Sequence, residues 1–482
     1  MNILPILRRA SAFRCVALVA ATVASAVLLG GCPTSTDPAA DEAFVSISEH
    51  GFDKQDNAQD LNNYPWSMAF FTPDEAADPN GGNLYVGTGN SIINIAAARF
   101  GVDMGVHPLF RPPEIRRYRP DLGPKRWERV LDYRDVETGP EWQTSGFRGM
   151  AVYRAAADGV KYVYAGTFGN RPALWRSATG DPGSWAQVWE SPREGSIRSL
   201  TIHNGLLYFA VSHESGVERF PGEIYATDGA TFREVVTDGF GNPHNWGIFS
   251  LASYNGYLYA GTFNREDGYE LWKLEGPQAG AAPALVIAHG GPEKSNHSTT
   301  QMVVFDDHLY VPALVYVGYN VGGIPIFKGG DMVRLDPSDR MEVIVGPGSL
   351  AGIGSGFDDN SNAYLWTLIE HEGRLYCGTW DSNAEISILL RNWPVVLRNL
   401  PTLVKGLLQQ KSRAGLIDQI AGIGAELYVS DDGIHWQRRF RDGLGNPDNY
   451  GVRNMESYGG TLYLGLANPV DGLEVFEMVA QP

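Results

Sequence analysis

The sequence predicts an all-β protein built from repeated four-stranded units, and three observations predict it. A short apolar run centred on Tyr recurs seven times along the chain. Gly supplies 57 of 482 residues, with 22 Tyr and 12 Trp, well above the usual Gly level of about 7%. Apolar residues make up 43% of the chain and charged residues 19%. That is enough apolar material for a large core and excludes global disorder.

The repeated run is Leu84-Tyr85-Val86-Gly87-Thr88, Val163-Tyr164-Ala165-Gly166-Thr167, Leu207-Tyr208-Phe209-Ala210, Leu258-Tyr259-Ala260-Gly261-Thr262, Leu309-Tyr310-Val311-Pro312, Leu375-Tyr376-Cys377-Gly378-Thr379 and Leu462-Tyr463-Leu464-Gly465. Most copies follow a turn such as His203-Asn204-Gly205 or Tyr254-Asn255-Gly256, and another strand-like run precedes that turn. A loop, a third strand (Glu223-Ile224-Tyr225-Ala226, Glu270-Leu271-Trp272-Lys273, Glu426-Leu427-Tyr428-Val429), a Gly turn and a fourth strand come after it. Four short strands joined by hairpin turns make the blade of a β-propeller. The predicted fold class is therefore all-β, a seven-bladed β-propeller over residues 43–482. The long stretches Glu223–Asn264 and Glu426–Asn468 align with a single one-residue gap, which shows the copying best.

Strand counting predicts how the ring shuts. The last unit has three strands, ending at Leu473–Met478, and lacks a fourth. Near the start of the chain, Phe44, Gly51 and Phe52 match Phe232, Gly239 and Phe240, and also Trp436, Gly443 and Leu444, at identical spacing. Ala43–Ser48 is therefore expected to complete the final blade, which removes exposed sheet edges. Blade 6 carries an insertion, 383–422, of helix-like and locally basic sequence with Arg391, Arg398, Lys405, Lys411 and Arg413, broken by Pro394 and Pro401. It is expected to cap the loop face or touch anionic lipid.

Ser430-Asp431-Asp432-Gly433-Ile434-His435-Trp436 resembles the Asp-box of sialidase-like propellers, with eroded versions at Tyr225–Phe232 and Ser177–Trp185. The resemblance implies a turn in which Asp accepts backbone N–H groups and Trp packs inward. It implies architecture rather than activity, because such boxes lie away from the active face.

Residues 1–31 read as a signal segment. Arg8, Arg9 and Arg14 precede the apolar run Val16–Leu29, which is short for a membrane span. The run ends in Leu29-Gly30-Gly31-Cys32, which resembles the lipobox of bacterial lipoproteins. That resemblance implies acylation of Cys32, a tether over 32–42 and a lipid-anchored protein of the cell envelope, periplasmic or surface-exposed. Removing 1–31, which holds three Arg and no acid, takes the formal net charge from −17 to −20. So acidic a chain is repelled by nucleic acid, and a nucleic-acid partner is excluded. Only Cys377 would remain of three Cys, so stability must come from the core. The sequence shows no Cys/His cluster or ligand spacing for a metal, and no cofactor motif.

The candidate site lies where the blades' innermost strands begin. Aligned there, the equivalent residues are Trp66, Arg148, Arg198, Phe249, Thr300, Trp366 and Arg453. Three guanidinium groups at one channel mouth suit a carboxylate, sulfate or phosphate. Loops on the same face hold His244, Asn245, His297, Asp358, Asp359, Asn360, Asp448 and Asn449. Of these, His244, Asn245, His297 and Asp358 join Arg148, Arg198, Arg453 and Trp366 as candidate ligand contacts. The expected function is an anchored ligand-binding or scaffold protein for an anionic small molecule or glycan, with membrane lipid and an envelope protein as partners. The alternative is a glycoside hydrolase or polysaccharide lyase acting on acidic glycans. No catalytic residue stands out by spacing.

Overall fold

The computed structural model describes residues 42–49, 51–52, 62–73, 82–90, 112–123, 125–137, 143–213, 219–276, 282–316, 320–321, 324–325, 328–385, 388 and 424–480. The signal segment with Cys32, most of the tether and the greater part of the insertion (389–423) fall outside them. Among the described residues the architecture is all-β, and antiparallel pairing gathers the strands in fours.

Group A holds Tyr64–Phe71, Asn83–Gly89, Glu114–Tyr118 and Trp127–Asp132. Group B holds Thr144–Arg154, Lys161–Gly169, Ala173–Ser177 and Ala186–Glu190. Group C holds Gly195–His203, Leu206–Ser212, Glu223–Thr227 and Phe232–Val236. Group D holds Gly247–Tyr254, Tyr257–Phe263, Leu271–Leu274 and Ala284–Ile287. The first strand of group E is split into Ser298–Thr299 and Val303–Phe305, followed by His308–Leu314, Met332–Leu335 and Met341–Val345. Group F holds Asn362–His371, Arg374–Asp381, Leu427–Ser430 and Gln437–Phe440. Group G holds Gly451–Tyr458, Thr461–Ala467 and Glu474–Ala480, with Glu42–Ser46 beside the last of these. In that final pairing Phe44 faces Met478, and Ile47 N–H donates to Val475 O at 2.9 Å.

Local chemistry sets these hairpins. The turns Asn204-Gly205, Asn255-Gly256, Asp306-Asp307, Glu372-Gly373 and Gly459-Gly460 have both central residues at positive φ. That is the two-residue turn whose twist matches a β-hairpin, and it fixes the register of the first two strands in groups C to G.

Buried apolar side chains cluster between consecutive groups. Phe71, Tyr85 and Ile115 of group A meet Phe147, Val163 and Trp175 of group B. The same layering recurs onward, and Leu473 and Val475 of group G meet Met68, Leu84 and Val86 of group A. The repeated Tyr sits in these layers: Tyr85, Tyr164, Tyr208, Tyr259, Tyr310 and Tyr376 are fully buried. Tyr310 explains Gly433. A Cβ there would stand 1.9 Å from the Tyr310 hydroxyl. In the same turn Asp432 accepts Ile434 and His435 N–H groups at 2.8 Å each.

A second recurring device joins the groups. Asn62, Asn245, Asn296, Asn362 and Asn449 each donate the side-chain amide to the carbonyl of an upstream Gly (Gly51, Gly239, Gly290, Gly356, Gly443). The same amides also donate to a carboxylate beside the third strand of the next group: Glu114, Glu270, Asp331, Glu426 and Glu474. Each such Gly has φ between 61° and 73°.

Candidate functional site

The innermost strands lie against one another in order, the Tyr64–Phe71 strand touching both Thr144–Arg154 and Gly451–Tyr458. They surround a cavity of about 260 Å³ lined by residues of every group, among them Arg148, Arg198, Phe249, Thr300, Trp366 and Arg453. A backbone irregularity aims these side chains. The strand registers slip at Pro65/Ser67, Phe147/Gly149, Ile197/Ser199, Ile248/Ser250, Leu365/Thr367 and Val452/Asn454. The skipped residues are Trp66, Arg148, Arg198, Phe249, Trp366 and Arg453. Thr300 falls in the break of group E's first strand. A β-bulge leaves its extra residue unpaired and re-aims its side chain, and the position recurs in each group.

Around this ring each arginine lies over the aromatic residue at the same position in a neighbouring group. Arg148 lies 5.0 Å from the Trp66 ring, Arg198 is 3.5 Å from Phe249, and Arg453 is 5.2 Å from Trp366. Each such contact contributes about 0.5–2 kcal/mol and fixes the guanidinium plane. Glycines make room for the rings: a Cβ at Gly146 would stand 1.9 Å from Trp66, and one at Gly451 would stand 2.3 Å from Trp366. Burial pushes Arg453 down to about 10, and the Arg148 charge acts in the same direction while Tyr64 opposes it. Arg453 is therefore still a cation at neutral pH, within reach of a second cation.

Below the ring, polar side chains tie one inner strand to the next. Ser67 Oγ donates to Phe147 O (2.9 Å), Leu251 N–H to Ser199 Oγ (3.0 Å) and Asn454 Nδ2 to Pro65 O (2.6 Å). Ser250 and Thr299 hydroxyls meet at 2.6 Å, and Thr367 donates to Gln301 Oε1 at 2.8 Å.

Glu456 is the one carboxyl among the described residues of the lining. Its Oε1 accepts Phe70 N–H at 3.1 Å. Burial pushes it up to about 7, against the lowering effect of that hydrogen bond. Sequence reading missed Glu456. The available signal was its place three residues after the aligned Arg453 on the same inner strand.

The structure thus gathers Arg148, Arg198, Arg453 and Trp366, and it places the other candidates elsewhere. Asn245 is a correction: it is fully buried, and its amide is committed to Gly239 O and Glu270 Oε2. His297 is buried too, with Nδ1 accepting Tyr316 N–H at 2.8 Å, and burial pushes its imidazole down to about 3. Its imidazole is therefore neutral at neutral pH, and it does not line the cavity. Asp358 is exposed and accepts Gly354 N–H, and His244 is exposed with its ring 6.5 Å from that of Trp246. Neither lines the cavity. Asn449 repeats the Asn245 arrangement with Gly443 and Glu474.

Above the ring lies an aromatic cluster that includes Tyr64, Trp66, Phe168, Tyr364, Trp366, Trp380 and Tyr450. Residues 382–385 and 388 are helical, and Ala384 and Ile388 are buried in this cluster. The start of the insertion is therefore core. Deletion from Asn383 onward would remove two buried apolar contacts. Among the described residues no helix is long and apolar enough to cross a membrane.

No protein-family model and no curated protein sequence matches the chain. Many solved structures resemble the chain, among them two at a TM-score of 0.47. One is the extracellular domain of a hybrid two-component system from B. thetaiotaomicron, 9% identical, covering 87% of this chain and 40% of that chain. The other is the Neurospora crassa Pan2 WD40 domain, 10% identical, covering 93% of this chain and 98% of that one. Neither bears on activity.

Proposed function

We propose that the chain is a seven-bladed β-propeller, completed by Glu42–Ser46, that binds a small anionic molecule or an acidic glycan residue in its central cavity. One observation carries the reading: three guanidinium groups from three different groups of strands, each seated on an aromatic ring, line one cavity. Pairing in fours and contact between the first and last inner strands support the blade count and the ring. At about 260 Å³ the cavity sits near the lower end of small-molecule sites, which suits a single sugar acid or a hydroxy acid. The lipobox-like Leu29-Gly30-Gly31-Cys32 supports an envelope protein held to membrane lipid through acylated Cys32.

Glu456 favours the alternative, a hydrolase or lyase on acidic glycans, because a carboxyl titrating near neutrality suits acid–base work. Glycoside hydrolysis ordinarily uses two carboxyl groups. Among the described residues the cavity offers one, so binding is the better-supported function.

The test is calorimetric titration of galacturonate and inorganic sulfate into the wild type and into the R148A/R198A/R453A variant. A charge-assisted contact contributes about 1.5–3 kcal/mol, so the triple variant is expected to lose at least 100-fold in affinity. Undiminished binding by the variant would move the site elsewhere. Turnover of a uronate-containing oligosaccharide that is lost in E456Q would establish the enzyme reading.

A further inference from the structure

The richest observation outside the arginine ring is one departure from a repeated pattern. In group D, Asn264 closes the second strand. Its Oδ1 accepts Glu266 and Asp267 N–H groups at 3.0 and 2.9 Å, and its Nδ2 donates to Asn245 Oδ1 at 3.0 Å. In group G, Asn468 does the same. Its Oδ1 accepts Val470 and Asp471 N–H at 2.9 and 2.8 Å, and its Nδ2 donates to Asn449 Oδ1 at 3.0 Å. In group A, Asn90 Nδ2 donates to Asn62 Oδ1 at 3.2 Å.

Group F has Asp381 in this place. Asp381 Oδ1 accepts Asn383 and Ala384 N–H at 2.8 and 3.1 Å, reproducing half of the pattern. Asn362 stands directly opposite in the strand register. The Asn362 amide is oriented by donation to Gly356 O and Glu426 Oε2, so only its oxygen is left for Asp381. Both Asp381 Oδ2 and Asn362 Oδ1 are buried without a hydrogen-bond partner among the described residues. Two facing acceptors are repulsive, and each orphan costs about 1–3 kcal/mol. A proton on Oδ2 converts the clash into the bond that Asn makes in groups A, D and G.

We propose that Asp381 is a carboxylic acid in the folded protein near neutral pH, that its Oδ2–H donates to Asn362 Oδ1, and that losing this proton weakens the anion site. The last clause rests on the binding reading above. The connection is short. Asp381 caps the segment whose Ala384 and Ile388 pack in one cluster with Trp366, the seat of Arg453.

The surroundings favour the proton. Burial pushes the Asp381 carboxyl up to about 7, and Asp359 and Glu426 add repulsion. Asp359 stands at the loop before Asn362 and is bonded to Ser361. Glu426, across the sheet, takes the Tyr428 hydroxyl at 2.6 Å and lies 3.5 Å from Arg438 Nη1. Glu385, further along the capped segment, is buried as well.

The sign of the pH effect follows by linkage. A carboxyl whose folded value lies above its unfolded value of about 3.9 stabilises the fold fully below that lower value. That stability declines as pH rises towards the folded value and is flat above it. Melting temperature is measured from pH 4 to 8.5 for the wild type, D381N, and N264D, which installs the same acid in group D. The wild type is expected to fall relative to D381N between about pH 4 and 7, and N264D to fall more steeply than the wild type. Parallel curves for wild type and D381N would overturn the protonated acid.

Sulfate and galacturonate titrations over pH 5.5 to 8.5 test the link to the site. They are run in the E456Q background, which removes the carboxyl that lines the cavity itself. Affinity is expected to weaken several-fold through about pH 7 with Asp381 present and to stay level with D381N. Identical profiles would overturn the link while the melting curves still decide the proton. Absence of binding at every pH would overturn the binding reading instead.

Discussion

Two positions of the repeat behave in opposite ways. At the bulge the residues run Trp66, Arg148, Arg198, Phe249, Thr300, Trp366, Arg453, with little held in common. At the inter-group bridge the residue is Asn in five groups, always answering a Gly carbonyl and an acid. The bridge side chain meets buried backbone and a buried or half-buried carboxylate, so its chemistry is dictated from inside. The bulge side chain meets the cavity and a neighbouring ring, so it is free to follow whatever occupies the cavity. Within one molecule, uniformity marks what the fold requires and variety marks where side chains are free to differ.

That contrast is broken most severely at the bridge. N449A leaves Gly443 O, Glu474 and the Asn468 amide without their partner. A loss of about 3–5 kcal/mol is expected, read by chemical denaturation. A loss under about 1 kcal/mol would make the bridge incidental. The bulge should respond the other way. R148A/R198A/R453A removes three ring contacts and is expected to change stability by about 1.5–6 kcal/mol in total while abolishing anion binding.

A smaller effect is expected of Glu456. As pH rises through about 7 its carboxyl ionises in the cavity and opposes an anion there. E456Q should hold galacturonate several-fold more tightly than the wild type at pH 8 and equally at pH 5.5. A wild-type advantage at pH 8 would make Glu456 a direct ligand contact. The mildest change concerns Cys377, fully buried among apolar side chains with its thiol pushed up by burial. C377A should cost about 1 kcal/mol through lost packing, and the wild-type thiol should resist iodoacetamide in the native state. Rapid native-state alkylation would show that this layer opens.

Much of the architecture was legible because the repeat advertises itself. The LYxGT runs became second strands, the Asn-Gly turns became hairpins, and alignment of inner strands picked out residues the structure places at bulges. The match of Gly51-Phe52 to Gly239-Phe240 and Gly443-Leu444 anticipated a shared backbone, and all six residues have positive φ. The bridging Asn was misread. Polar residues in a Gly-rich loop look alike whether they meet a ligand or a buried carbonyl. The distinguishing partner is an acid 25 residues on in Asn245–Glu270 and Asn449–Glu474, but 52 and 64 residues on in Asn62–Glu114 and Asn362–Glu426. Insertions of different length hide the pattern. Glu456 escaped because nothing in Met455-Glu456-Ser457 shows that burial withholds water from the carboxyl.

The pairing of Glu42–Ser46 with Glu474–Ala480 has a consequence for biogenesis. A strand made early by the ribosome finds its neighbour late, after more than four hundred further residues have been translated. Until then both outer edges of the nascent sheet array stand unpaired, open to sticking to other chains. Contacts so distant in sequence also slow the final docking step. Weakening that terminal zipper should therefore show first as poor yield and aggregation during expression, before any change in the finished molecule's cavity.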